Sequence, residues 1–132
     1  MNLCLVGSAV AGLGAALGHA YLGERLVLRP MFKARGDNRV LSVEATRRVI
    51  RWVWHLPSIA WAQVAAVTIW FVLLAPPQYA GPTTGAGFAA LTWLGVGIYL
   101  SGALANLWAM RKPHVGNILL TVAAAGLALG SL

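Results

Sequence analysis

Acidic side chains are scarce in this 132-residue sequence, which has three Asp or Glu residues against ten Lys or Arg residues. Charged residues of both signs make up 10% of the chain and hydrophobic residues 59%, whereas an ordinary soluble domain is about 25% charged. So few charges cannot cover the surface of a soluble core of this size. The sequence therefore predicts an integral membrane protein.

Cysteine is also nearly absent. The single residue, Cys4, excludes an internal disulfide and every cysteine-rich zinc or iron–sulfur pattern. No complete catalytic motif is present, and apolar stretches take up nearly all of the chain, which leaves no room for a separate soluble catalytic domain. The first apolar run has no basic residues before it, so we expect it to be kept as a membrane span and not cleaved as a signal peptide.

Long uncharged stretches are what the sequence does contain. Four of them are long enough to cross a bilayer as helices, at about 3–23, 52–75, 88–110 and 115–132. The fourth, at about 27 Å, barely reaches across. Pro30 is expected to end the first helix. The sequence thus predicts one all-α transmembrane domain, a four-helix bundle with a basic connector at 24–51.

The basic residues give this plan an orientation. All ten lie either in the connector 24–51 or at Arg111 and Lys112, which puts them on one side of the membrane. The positive-inside rule assigns that side to the cytoplasm. The N-terminus and C-terminus are then both on the non-cytoplasmic side, and the bacterial inner membrane is the simplest location.

Basic and aromatic residues at the start of the second span are typical of a headgroup boundary. The candidates for contact with lipid headgroups are Arg47, Arg48, Arg51, Trp52 and Trp54. Although the net charge is +7, the basic residues adjoin apolar spans and do not form an aromatic-lined stacking surface, so no nucleic acid partner is predicted. We expect the partners to be membrane lipids and either other membrane protein subunits or further copies of this chain.

Three histidines, His19, His55 and His114, are predicted at a similar shallow depth in three different helices, with Glu24 beside the first span. Together they are candidate ligands for a metal ion, or for a haem, chlorin or other pigment. Spacing weakens this hypothesis, because His19 and Glu24 are five residues apart and so about 140° apart around an α-helix. The alternatives are that each histidine hydrogen-bonds to a neighbouring backbone group or headgroup, or that the histidines transfer protons.

Three short motifs resemble the landmarks of a group of small, uncharacterised four-span bacterial membrane proteins. They are His19-Ala20-Tyr21-Leu22-Gly23-Glu24, Trp54-His55-Leu56-Pro57-Ser58 and Pro113-His114-Val115-Gly116. The resemblance implies the same four-helix plan and draws attention to the three histidines and Glu24. Asn117 departs from the aromatic residue expected after that glycine. The resemblance implies no reaction.

The function that these patterns favour is that of a non-enzymatic accessory or structural subunit, which packs against a larger membrane complex. Two other classes stay open. One is a metal-, haem- or pigment-binding protein that uses His19, His55 and His114. The other is a small membrane enzyme that acts on a lipid headgroup or a quinone at the cytoplasmic interface, where arginines would bind phosphate or carbonyl oxygens.

Overall fold

The fold was obtained as a computed structural model, which describes residues 2–34, 36, 38–73 and 85–132, and the side chains of all of these except 85–88. The helices are α1 (Leu3–Leu22), α2 (Arg29–Lys33), α3 (Arg39–Ser42), α4 (Glu44–Leu73), α5 (Gly85–Met110) and α6 (Val115–Gly130). A π-helical segment, Gly23–Leu28, joins α1 to α2. No strand occurs among these residues, so the all-α prediction is confirmed.

Within the described residues, three helices are long and apolar enough to cross a membrane. They are Leu3–Lys33, Glu44–Leu73 and Ala89–Met110. The fourth predicted span, 115–132, forms only the shorter apolar helix Val115–Gly130, about 24 Å long. Helices of sufficient length and apolar character are therefore found for three of the four predicted spans. Residues 74 and 75, which end the predicted second span, and Arg35 in the basic connector lie outside the described residues.

The prediction that Pro30 ends the first helix is wrong. The chain stays helical from Leu3 to Lys33, because the hydrogen-bond pattern widens just before the proline, where the N–H of Arg29 bonds to the carbonyl of Glu24, five residues back. Pro30 then lies in the first turn of α2, a position where proline is tolerated. The predicted connector is consequently helical over most of its described length.

The long helices pack as antiparallel neighbours. α1 packs against α4 and against α6, and α5 packs against α6. The side chain of Asn2 donates a hydrogen bond to the carbonyl of Gly130 at 2.8 Å, so both ends of the chain lie at the same end of the molecule. Ser8 donates to the carbonyl of Ala123 at 2.6 Å. This bond links α1 to α6 further from the chain ends.

Small residues form much of the core, because they let helix backbones approach closely. The buried alanines are Ala9, Ala11, Ala15, Ala16, Ala65, Ala103, Ala123 and Ala124. The largest fully buried side chain is Tyr99 on α5. Its ring fills the space beside Gly12 of α1, and its hydroxyl donates to the carbonyl of Trp61 on α4 at 3.2 Å. One tyrosine thereby joins three helices.

Gly126 tests the contact between α1 and α6. A Cβ added there would lie 2.7 Å from the carbonyl oxygen of Cys4, a backbone atom that cannot rotate away. We expect Gly126→Ala to lower the free energy of unfolding by about 1–3 kcal/mol, measured by thermal unfolding in detergent. Gly97→Ala is the matched control, since no atom lies within 4 Å of its added Cβ, and it should be neutral or slightly stabilising. Equal effects of the two substitutions would contradict this packing.

Candidate functional site

The end of α1 meets α4 in two adjoining polar clusters. In the first, the Nδ1 atom of His19 and the Oγ atom of Ser58 are 2.9 Å apart and share a hydrogen bond. The imidazole stacks on the Trp54 ring at 5.3 Å and meets the edge of the Trp61 ring at 5.2 Å. Ser58 is buried, and its hydrogen bond with His19 links α4 to α1.

Glu24 is the centre of the second cluster, one turn beyond His19. Its carboxylate accepts from the Nε atom of Arg51 on α4 at 3.2 Å and from the Nε atom of Arg29 on α2 at 3.4 Å. The Nε2 atom of His55 lies 3.7 Å from the same carboxylate. The guanidinium of Arg51 also lies over the Phe32 ring, 5.4 Å from its centroid. Glu24 therefore positions two arginines and a histidine.

The π-helical segment Gly23–Leu28 makes this arrangement possible. Glu24 and Arg29 are five residues apart and would point in different directions from an α-helix. In a π-helix the backbone hydrogen bonds join residues five apart, so the two side chains come to the same side and form the observed ion pair. The segment begins at Gly23, and the absence of a Cβ there leaves space for the indole of Trp54.

A cleft opens between these elements. It has a volume of about 660 Å³, and its lining includes Tyr21, Glu24, Arg25, Arg29, Arg51 and His55. Arg25 donates from its Nη1 atom to the hydroxyl of Tyr21 at 2.6 Å. Because the side chains of Arg29 and Arg51 are 72% and 48% exposed, their pairing with Glu24 contributes little to stability. Its consequence is the orientation of the guanidinium groups towards a solvent-accessible space.

The structure divides the predicted headgroup residues between two places. Arg51 lines the cleft, and Trp54 lies against His19 beside it. Arg47 instead donates to the carbonyls of Leu41 and Ser42, each at 2.8 Å, and stabilises the bend between α3 and α4.

The two remaining headgroup candidates also lie away from the cleft. Arg48 pairs with Glu44 one turn earlier on α4. Trp52 is 67% exposed. Of the five predicted headgroup residues, Arg51 thus lines the cleft and Trp54 belongs to the His19 cluster.

The histidines do not form one group. His55 joins Glu24, His19 joins Ser58, and His114 caps the N-terminus of α6, where its Nδ1 atom accepts from the backbone N–H of Asn117 at 3.2 Å. Among the described residues, no set of three or more His, Cys, Asp or Glu side chains could hold a metal ion. The side-chain arrangement gives a three-histidine metal site no support.

Several residues of the cleft have no place in the predicted site. Arg25 and Arg29 count only as orientation signals in the sequence, and Tyr21 appears only inside the first resemblance motif. Phe32, which does not line the cleft but contacts Arg51, does not stand out at all. The signal that finds Arg29 is its spacing of five residues from Glu24, which is meaningful only if a π-helical turn is expected. Ser58 would be assigned a bond to its own helix, although its partner is His19 on another helix.

Ser58→Ala tests the contact between α1 and α4. The substitution removes the described hydrogen-bond partner of His19 Nδ1, and interhelical hydrogen bonds in membranes contribute about 1 kcal/mol. We expect a loss of stability of that size in detergent, together with a change in tryptophan fluorescence, because His19 stacks on Trp54. Ser101→Ala is the control, since Ser101 is exposed and bonds to Ile98 of its own helix. A Ser58→Ala protein as stable as this control would refute the assignment.

No model of a known protein family, no characterised protein and no solved structure matches this chain. The resemblance to four-span bacterial membrane proteins therefore stays a prediction, and the case for function rests on the arrangement of the residues.

Proposed function

We propose that this protein is a non-catalytic accessory subunit of a larger assembly in the bacterial inner membrane, with both termini on the non-cytoplasmic side. The observation that carries the proposal is that polar side chains within the helices form hydrogen bonds between helices. Ser8, Tyr99 and Asn117 each donate to a backbone carbonyl of a neighbouring helix. These polar side chains hold helices together, as expected of a structural component.

Glycines on the outer face of α1 support docking to a partner. Gly7 and Gly18 are eleven residues apart, about three helical turns, and a Cβ added at either would meet no atom within 4 Å. Val10 and Leu17, on the same side of α1, are exposed. Glycine at a lipid-facing position adds nothing to packing, whereas against another helix it permits close approach. The α1 outer face, defined by Gly7, Val10, Leu17 and Gly18, is the proposed docking face.

The distribution of charge supports the proposed orientation. Arg25, Arg29 and Arg51 lie where α1 meets the start of α4, and Arg111 and Lys112 lie between α5 and α6. Because the helices are antiparallel, this basic end is opposite to the end where Asn2 bonds to Gly130. The excess of Lys and Arg favours placing the basic end in the cytoplasm.

No observation favours the other two classes as strongly. A shared metal or tetrapyrrole site on His19, His55 and His114 would require His114 to leave its position at the N-terminus of α6. An enzyme acting on a headgroup or a quinone would use the cleft around Glu24, where the carboxylate is already paired with two arginines.

The proposed docking face can be tested by replacing its glycines with a larger residue. We expect the native protein, extracted from its own membranes in mild detergent, to migrate in blue native electrophoresis at a mass well above that of the monomer. Gly7→Leu combined with Gly18→Leu should release the monomer, because the new side chains prevent close approach of a partner helix. Gly97→Leu is the control on α5, since an added Cβ there also meets no atom within 4 Å.

The control variant should migrate like the native protein. A native protein that runs as a monomer, or a double variant that stays in the assembly, would contradict the proposal. The protein composition of the large band decides between a hetero-complex and copies of this chain.

A further inference from the structure

The residues that line the cleft around Glu24 carry more positive than negative charge. Its lining contains three guanidinium groups, those of Arg25, Arg29 and Arg51, and one carboxylate, that of Glu24. The three guanidinium charges and the one carboxylate charge leave an excess of two positive charges. Since exposed like charges placed close together repel each other, an anion in this space would be favourable.

The hydrogen-bond geometry leaves the guanidinium donors available. Arg29 and Arg51 each contact Glu24 through the Nε atom. Among the described residues, no partner is recorded for the terminal amino groups of these two side chains. Arg25 uses Nη1 for the Tyr21 hydroxyl, which is a neutral partner. A guanidinium group has five donors in a planar fork that matches phosphate oxygens.

Two contacts fix these donors before any ligand arrives. The carboxylate of Glu24 joins Arg29 to Arg51, and the ring of Phe32 lies beneath the Arg51 guanidinium. Preorganisation of this kind reduces the entropy that binding would otherwise cost. Glu24 is therefore a positioning residue, although its own charge would repel an anion.

The location of the cleft indicates a lipid and not a soluble anion. It lies where the uncharged helix α1 gives way to the charged sequence that begins at Glu24, the depth at which headgroups are found in a bilayer. Tyr21 and Trp52 are exposed near the same level, as aromatic residues at a membrane interface commonly are. Basic pockets between membrane helices are suited to phospholipid headgroups with more than one negative charge.

We propose that this cleft binds the headgroup of a doubly charged phospholipid, of the cardiolipin type, through Arg25, Arg29 and Arg51. The two phosphates of such a headgroup match the two excess positive charges. The inference goes beyond the accessory role and does not depend on it, because the cleft is at the basic end of α1 and the docking face runs along the apolar part of that helix.

The test is a titration of the purified full-length protein in detergent with cardiolipin, followed by native mass spectrometry of the lipid adducts. We expect one retained cardiolipin per chain, and weaker retention of singly charged phosphatidylglycerol at the same number of phosphates. Arg25→Gln combined with Arg29→Gln should weaken cardiolipin binding roughly thirtyfold, on the basis of the usual contribution of each basic residue near a lipid headgroup.

Arg111→Gln combined with Lys112→Gln is the matched control. It removes the same charge from the same end of the molecule, at exposed residues outside the cleft, and should change binding by less than about twofold if the site is local. Circular dichroism and thermal unfolding of both variants show whether each is folded. Equal weakening in the two folded variants would overturn the proposal, because the attraction would then be diffuse.

Competition separates a lipid from a free anion. Inorganic phosphate at millimolar concentration should not displace cardiolipin, because it lacks the acyl chains that keep the headgroup at this depth. Displacement by phosphate alone, or equal retention of zwitterionic phosphatidylcholine, would overturn the assignment to an anionic phospholipid. Failure of the unaltered protein to retain cardiolipin, together with an intact assembly in blue native electrophoresis, would reject the lipid site and leave the accessory role standing.

Discussion

Hydrocarbon offers no hydrogen-bond partner to a buried polar group, and this constraint governs where polar side chains lie in the protein. The hydroxyls of Ser8 and Tyr99 and the amide nitrogen of Asn117 satisfy it by donating to carbonyl groups of neighbouring helices. Among the described residues, the exceptions are Asn117 Oδ1 and Trp54 Nε1, which are buried without a hydrogen-bond partner. His19 and Ser58 satisfy it through each other. Each of these bonds links two helices, so the same contacts that avoid an unpaired polar group also set the order in which the helices pack.

The same constraint applies to charged side chains, which lie outside the apolar parts of the helices. The π-helical segment Gly23–Leu28 connects the two regions, because it continues α1 while moving Glu24 and Arg29 to one side. Glu24 can then reach Arg51 and His55 on α4. A wide helical turn at the end of a span thereby produces both a helix contact and a cleft lined by arginines, and π-helical turns are frequent at functional sites.

The sequence predicts the helical class and three of the spans because long uncharged runs and the clustering of basic residues are strong signals. It marks Glu24, His19 and His55 as candidate ligands, but it does not predict that His19 contacts Ser58 or that His55 lies beside Glu24. The pairing depends on the π-helical turn, which breaks the α-helical periodicity used to place side chains on faces. It also depends on which face of α4 meets α1, and single residues such as Gly23, whose missing Cβ admits Trp54, decide that contact.

The central proposal is that the helices cross a membrane with the basic end in the cytoplasm and both termini on the opposite side. Cysteine labelling in intact bacteria tests it most directly, with a membrane-impermeant maleimide and a Cys4→Ser background. Ser131→Cys, in the turn that follows α6, should be labelled in intact cells. Lys112→Cys should be labelled only after the inner membrane is permeabilised. Labelling of Lys112→Cys in intact cells with protection of Ser131→Cys would contradict the orientation, and labelling of both would contradict the membrane crossing itself.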